Sequence, residues 1–557
     1  MFRGNDEAFA APVAVGGMGI PQDPTQVMGG FGDGPGLGGG TPQMQSGFGD
    51  SGQAGFMLTE RVRAYIIDFY MKMCENNTSD VRYLYFREWT SLTNNYYKDT
   101  EWPNENEISS LVDENEVFIH CYKELYYRHI FVHGSPLLHH RVESWENYKA
   151  LFDMFLDGAN TSSLQLPLEW LGDMIDEFLY QFEDFCSYRH KLTRLSEEEL
   201  ETLENQPDVW NVHMVLGYLT SFVDRSGIVK MLNDPNKQVG NRLSVLESLG
   251  YYSLIGLCRV HCLTGDYRLA LQQLNPIDVD DKRALFTRIA STHLSLYYYL
   301  GFAYMMMKRY ADAVNVFSTV LLAHRGSRGR ATCFSDGQIN SKYDKIRALC
   351  AMSVALSPGL ALDEQVRQLL MEKYDEVMPR LMQRREENFE ELFRYGCPKF
   401  ITPSTPNYSN LEDRHREAYN LQLKWFLTEV RSQATLPEIR SYLKLYTSIP
   451  IMKLSQFCDL SDEVFIEKLM SIKHKSYQLV NPRNGSPALD GIRSCATDVH
   501  FYMSEDMLHV DETGRVQRFS EYFMTHSLKF QTAIDDLRST DPRRRHHQKK
   551  KHNDRKQ

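Results

Sequence analysis

The sequence predicts a mainly α chain: a helical-repeat solenoid, then a winged helix, then one C-terminal helix. Three observations predict it. Apolar residues recur at three- and four-residue steps through most of the chain beyond residue 55. One helix-hairpin layout occurs twice, about 43 residues apart, judged by Tyr267 against Tyr310. Near the C-terminus the period changes to that of a strand, with Val499, Phe501 and Met503 alternating before a short turn and Leu508 and Val510 after it. The implied divisions are a leader (1–55), an N-terminal helical domain (56–240), a repeat part (241–435), a winged helix (436–512), a bundling helix (513–540) and a basic tail (541–557).

The leader holds 16 of the 34 glycines, in runs such as GFGDGPGLGGG. Such a segment buries too little apolar surface to offset its ordering entropy, and disorder is expected. It lacks the charged start and continuous apolar stretch of a secretory signal. The formal charge of −11 hides an asymmetry. The tail carries eight Lys/Arg against Asp541 and Asp554, a local +6, so the rest of the chain carries −17. An acidic body excludes a surface-wide nucleic-acid footprint, while clustered cations at Arg543, Arg544, Arg545, Lys549, Lys550 and Lys551 suit local RNA contact or a solubilising tail. Ten cysteines without a Cys-x-x-Cys pair suggest free thiols in a cytoplasmic protein.

The first helix is expected where Leu58, Val62, Tyr65, Ile66, Phe69 and Met73 share a face, ending at Asn76-Asn77. A second helical segment runs around Val81–Asn94, to the Trp102-Pro103 break. Glu116–His133 is an aromatic-dense helix, and HHRVESWENYKALFDMFLDG follows it. In LPLEWLGDMIDEFLYQFEDFCSYRH, Trp170, Ile175, Phe178 and Phe182 supply the buried side. Glu169, Asp173, Asp176 and Glu177 place negative charge near that helix start, suiting the macrodipole.

The first hairpin of the repeat contains Leu257, Cys258, His261, Gly265, Tyr267, Ala270 and Leu274. The second contains Leu300, Gly301 and Tyr304, a polar break at Lys308-Arg309, then Tyr310, Ala313, Phe317 and Val320. A Gly in one helix and an Ala in the next follow the tetratricopeptide pattern, although the spacing is longer than its roughly 34 residues. The apolar run Leu294–Met307 is too short to span a bilayer and is interrupted by four tyrosines. Further helices are expected over Tyr343–Arg384, Glu387–Tyr395 and Glu412–Ser432, with a loop at ITPSTPNYSN.

In the wing, Ile451, Leu454 and Phe457 mark a short helix. Ser461 is placed to cap the next, whose inner face is Phe465, Leu469 and Ile472. Asn484-Gly485 is a turn signal, and Ser504–Asp506 turn the strand pair. In the last helix Val516, Phe523, Phe530 and Leu537 are spaced by seven, with Phe519, His526 and Ala533 at companion positions. That seam suits a helical bundle, either with the chain's own solenoid or with other subunits.

Several of these strings resemble a known family. YKELYYRHI (Tyr122–Ile130), LEWLGDMIDEFLYQF (Leu168–Phe182), WNVH (Trp210–His213), LGYYSLIGL (Leu249–Leu257), CPKF (Cys397–Phe400) and IRSYLKLYTSIP (Ile439–Pro450) resemble, in order, the L subunit of eukaryotic translation initiation factor three. The C-terminal block resembles the winged-helix half of a PCI domain, the module that this factor shares with the proteasome lid and the COP9 signalosome. The Gly-rich leader and the basic tail lie outside the resemblance.

No motif demands catalysis. GSRGR at Gly326–Arg330 lacks the Gly-Lys-Ser/Thr ending of a phosphate loop. Cys258 and Cys262, with His261 beside them, have the spacing of packing on one helix. His129 and His133 share a face, but no Glu lies between them as in a zinc protease. The run SEEEL at Ser196–Leu200 has the character of a solvated helix start. Lys468, Lys473, His474 and Lys475 fall on or just after the wing helix that enters a groove in DNA-binding relatives, but Asp462, Glu463 and Glu467 dilute them and favour protein contact.

The resemblance implies a non-catalytic scaffold subunit, without cofactor, metal, membrane or small-molecule substrate. Its implied partners are other initiation factor subunits, the K and E subunits foremost, and the small ribosomal subunit. The residues expected to serve partners are Val499, Phe501, Met503, Leu508 and Val510 in the wing sheet and Val516, Phe519, Phe523, Phe530 and Leu537 in the bundle. The alternatives are a PCI subunit of the proteasome lid or signalosome, and an RNA-binding adaptor acting through the tail.

Overall fold

The structure is a computed structural model that describes residues 58–540 except 159–162, 235–242, 282, 328–335, 358, 361, 409–412, 483–486, 496–498 and 513–518. The leader, Asn484-Gly485, Val516 and the tail residues Arg543, Arg544, Arg545, Lys549, Lys550 and Lys551 lie outside the described residues.

The chain is mainly α, as the periodicity predicts. Helix α1 (Glu60–Cys74) buries Val62, Tyr65, Ile66, Phe69 and Met73 on one face. It stops where Asn76 takes a left-handed backbone (φ 55°), which a short polar side chain tolerates. The expected second segment is α2 (Thr78–Tyr83), a π turn over Leu84–Glu88 and α3 (Trp89–Tyr96). The π turn lets the adjacent Leu84 and Tyr85 both face the core. After the short α4 (Glu105–Ile108), α5 (Glu116–His133), α6 (Leu138–Asp157) and α7 (Leu168–Arg189) pack together. In α8 (Glu197–Asn205) Ser196 and Glu199 form a capping box, which accounts for the SEEEL run. Then come α9 (Val212–Ser226) and α10 (Ile228–Leu232).

Helix α11 (Val245–Thr264) is buried on almost every side, packed against α7, α9 and the repeat. It forms the first repeat hairpin with α12 (Tyr267–Gln273), and α13 (Ala290–Met306) forms the second with α14 (Tyr310–Ser327). Between α13 and α14, Lys308 turns the chain at φ 65°. A Cβ at Gly301 would stand 2.3 Å from the Phe317 ring, so only glycine permits this approach of the two helices. The block expected over Tyr343–Arg384 resolves into α15 (Asp336–Leu356), α16 (Glu364–Tyr374) and α17 (Met378–Met382). Two more helices follow, α18 (Glu386–Gly396) and α19 (Glu417–Ser432).

The C-terminal part has a separate apolar core. Helix α20 (Leu436–Leu443) leads to β1 (Ser448–Pro450), α21 (Ile451–Phe457) and α22 (Asp462–Lys475). Strands β2 (Tyr477–Val480) and β3 (Ile492–Cys495) pair only with each other. Strands β4 (Val499–Ser504) and β5 (Met507–Glu512) form the expected hairpin, and β1 adds to β5, giving an antiparallel β1–β5–β4 sheet. Phe501 stands opposite Val510, and Ile449 opposite Leu508. Helix, turn, helix and hairpin make a winged helix. Two details differ from expectation. Phe457 is 39% exposed, so α21 buries only Ile451 and Leu454 of its predicted face. Ser461 occupies the cap position, but its side chain makes no capping bond, and Ser455 instead holds Asp462. The last helix, α23, runs Phe519–Thr540.

Candidate partner-docking surface

The wing sheet is held by the residues predicted to form it. Val499, Phe501 and Leu508 are buried in the wing core, and Met503 and Val510 pack partly against it. In the chain by itself the side chains of Val499, Phe501 and Leu508 hold the wing from within. What faces outward is the other side of β4, where Tyr502 is 52% exposed and stacks on His509 at 5.1 Å.

The free edge of β4 is partly closed as well. The Val510 N–H donates to Thr447 O at 2.9 Å, so Val510 turns its backbone toward β1. Its cross-strand partner Phe501 must then turn its own backbone to the open edge. There the Lys473 ammonium donates to the Phe501 carbonyl and lies 5.3 Å over its ring. Lys475 is likewise committed, donating to Glu429 at 3.1 Å and to Ser432. Glu429 also binds Lys308 at 2.7 Å. Burial pushes the Glu429 carboxyl up, but Lys308, Gln433 and Lys475 together hold it below its ordinary value. Two of the three wing lysines therefore serve the fold, which disfavours a phosphate-binding groove on this helix.

Three residues of the α23 seam are exposed to solvent. Phe523, Phe530 and Leu537 are 63–71% exposed, and Met524, Leu528 and Ile534 lie exposed beside them. Apolar surface also stands out elsewhere in this region. Leu421 and Trp425 lie one turn apart on α19, as do Ile466 and Met470 on α22, with Met452 exposed on α21. Each of these helices thus turns apolar side chains to solvent.

The strings that carried the resemblance are mostly interior. In YKELYYRHI, buried Glu124 accepts from Trp170 Nε1 (3.1 Å) and binds Arg128. Arg128 donates to the Tyr85 hydroxyl, which donates to Asp173 at 2.8 Å. In LEWLGDMIDEFLYQF, Gln181 donates to Glu177 at 2.9 Å. Burial pushes the Asp173 and Glu177 carboxyls up to about 7, against the pull of Arg128. These two were expected to serve the helix dipole; they belong instead to this ion network. Trp210 of WNVH donates to Arg141 O at 3.0 Å, and Phe400 of CPKF packs on Phe302 and Phe393.

Shifted carboxyls accompany active sites as well as ion networks. Here every member is tied to a neighbour, and two surface clefts lie elsewhere. One, of about 370 Å³, is lined by Asp68 and Lys72, the other, of about 480 Å³, by Cys74 and Asn115. His129 Nε2 contacts Thr100 O at 3.0 Å, and Cys262 donates to Tyr299 O at 3.6 Å. Among the described residues no group of three His, Cys, Asp or Glu has metal-binding geometry, and no helix is long and apolar enough to cross a membrane.

Comparison with known proteins adds an independent line. The family model of RNA polymerase I-associated factor PAF67 matches residues 140–530. The chain is 41% identical over 461 residues to eukaryotic translation initiation factor 3 subunit L of Danio rerio, covering 80% of each chain. It is likewise 41% identical to the Homo sapiens protein of that name (80% of this chain, 81% of that one) and 40% identical to the Xenopus laevis protein (80% and 82%).

Proposed function

Because this chain belongs to the family of eukaryotic translation initiation factor 3 subunit L, we propose that it is a non-catalytic scaffold subunit that helps to assemble that factor in the cytoplasm and dock it on the small ribosomal subunit. The observation that carries the scaffold reading is the exposure of Phe530 and Leu537, at 67% and 71%, on the α23 seam. An aromatic heptad row left in solvent is costly unless other helices cover it. The outer face of the wing supplies a second surface, and the K and E subunits are the partners we assign first. RNA contact we assign to Arg543, Arg544, Arg545, Lys549, Lys550 and Lys551.

Affinity purification of the tagged full chain from cell extract tests this reading. Initiation factor 3 subunits together with small-subunit ribosomal proteins are the expected companions. Recovery of proteasome-lid or signalosome subunits in their place would overturn it. Deleting residues 541–557 is expected to lower RNA affinity and flatten its dependence on salt, and an unchanged salt slope would remove the tail from the mechanism.

A further inference from the structure

Strands β2 and β3 interrupt the winged helix between α22 and β4; β2 touches α22, and Tyr477 meets His500 of β4, but β2 also packs on α14 of the repeat. Arg309, at the turn between α13 and α14, is 2% exposed. Its Nε and one terminal nitrogen bind Asp312 at 2.8 and 2.7 Å. The same guanidinium donates to Leu489 O at 2.9 Å and Asp490 O at 2.8 Å and lies 4.7 Å over the Tyr304 ring. The Tyr304 hydroxyl donates to Ala488 O at 2.8 Å. Asp312 accepts the Asn481 N–H at 3.0 Å, and Gln478 accepts the Ala311 N–H at 3.2 Å while donating to Ser357 at 3.3 Å. A Cβ at Gly491 would stand 3.3 Å from the guanidinium, so the loop closes tightly over it. Ala488 belongs to the solenoid's apolar core, with Leu489 packed against it, whereas the flanking α22 and β4 belong to the wing's.

We infer that residues 477–482 and 487–495 are a latch fastening the winged helix to the second repeat hairpin, with Arg309 as the positioning residue that fixes the angle at which the docking surface is presented. A two-stranded ribbon has little stability of its own, so its order depends on what it grips. Three inward carbonyls and a carboxylate make a cradle for a planar fork of donors. A lysine keeps the charge but cannot span that cradle. The inference rests on the reading of wing and α23 as docking surfaces, but its first readout involves no partner.

Hydrogen exchange on the full chain tests the latch with Arg309→Lys and with Gln478→Ala, a milder cut at the other end of the cradle. Exchange across 478–491 is expected to quicken at least about ten-fold in Arg309→Lys and less in Gln478→Ala, with α13 and α22 still protected. Equal exchange in all three proteins would overturn the latch. Uniform loosening of the whole chain would do so too, because Arg309 would then be a general stabiliser. Capture of initiation factor subunits is expected to fall several-fold in Arg309→Lys. Undiminished capture alongside a released loop would refute the positioning role. Phe530→Ala serves as the control: it is expected to lower capture without altering exchange at 478–491, so failure of the docking reading and failure of the latch remain distinguishable.

Discussion

Around Arg128, three carboxylates share one guanidinium: Glu124 directly, Asp173 through Tyr85, and Glu177 one turn further along α7. Burial raises Asp173 and Glu177 from ordinary values of 3.8 and 4.5 to about 7. The folded chain therefore holds protons that the unfolded chain has released between about pH 4.5 and 7. Their stabilising contribution is complete below the unfolded values and is lost as pH rises through about 7. Buried His129 and His190, whose values burial lowers, act in the opposite sense at acid pH, so the comparison must be with a variant. The double substitution Asp173→Asn, Glu177→Gln is expected to flatten the decline in melting temperature between pH 5.5 and 8. A decline equal to that of the wild type would show that these carboxyls are not the cause. The sequence alone could not reveal this network, because it pairs α5 with α7 across more than forty residues and a single string shows only surface-like i, i+4 charges.

Helices were legible because each carries its burial pattern locally, as α1 does with Val62, Tyr65, Ile66, Phe69 and Met73. Strands β1, β2 and β3 were not, being three or four residues long and held by distant contacts; Gln478 finds its partner at Ala311. The hairpin β4–β5 was legible through its alternation, but alternation does not say which face a neighbour already uses. The burial of Val499 and Phe501 in the wing core, with Tyr502 turned outward between Phe501 and Met503, emerges only from the packing. Gly301 is an element-scale test of the repeat. A methyl there would overlap the Phe317 ring, so Gly301→Ala is expected to cost about 1–3 kcal/mol in a denaturant titration. A neutral result would mean that α13 and α14 approach less closely. For α23 the expected signs differ. Phe523 and Phe530 are exposed, so their replacement by alanine is expected to change the stability of the isolated chain by less than about 0.5 kcal/mol while abolishing partner capture. Unfolding of the isolated chain would instead place the seam inside the fold.

At the scale of the whole molecule, two apolar cores are joined by the polar latch and by the pairing of Lys475 with Glu429. The larger core runs from Val62 to Val430 and takes in Ala488. The smaller contains Leu436, Ile439, Phe465, Leu469, Phe501 and Leu508 among others, and is closed by a sheet of three short strands. A small core has little margin. Net stabilities are about 5–15 kcal/mol for whole domains, and removing a fully buried aromatic costs about 3–5 kcal/mol. Phe465 is fully buried at the centre of the wing. Phe465→Ala is therefore expected to abolish exchange protection over 436–475 and 499–512 while α11, α13 and α14 keep theirs. Helical circular dichroism would fall only by the share of α20–α22. The insert gives the sharper reading: because its loop is held by Arg309 and Asp312 in the solenoid, residues 478–491 are expected to stay more protected than the wing on either side of them. Loss of protection along the entire chain in one transition would show that the latch couples the two cores into a single cooperative unit.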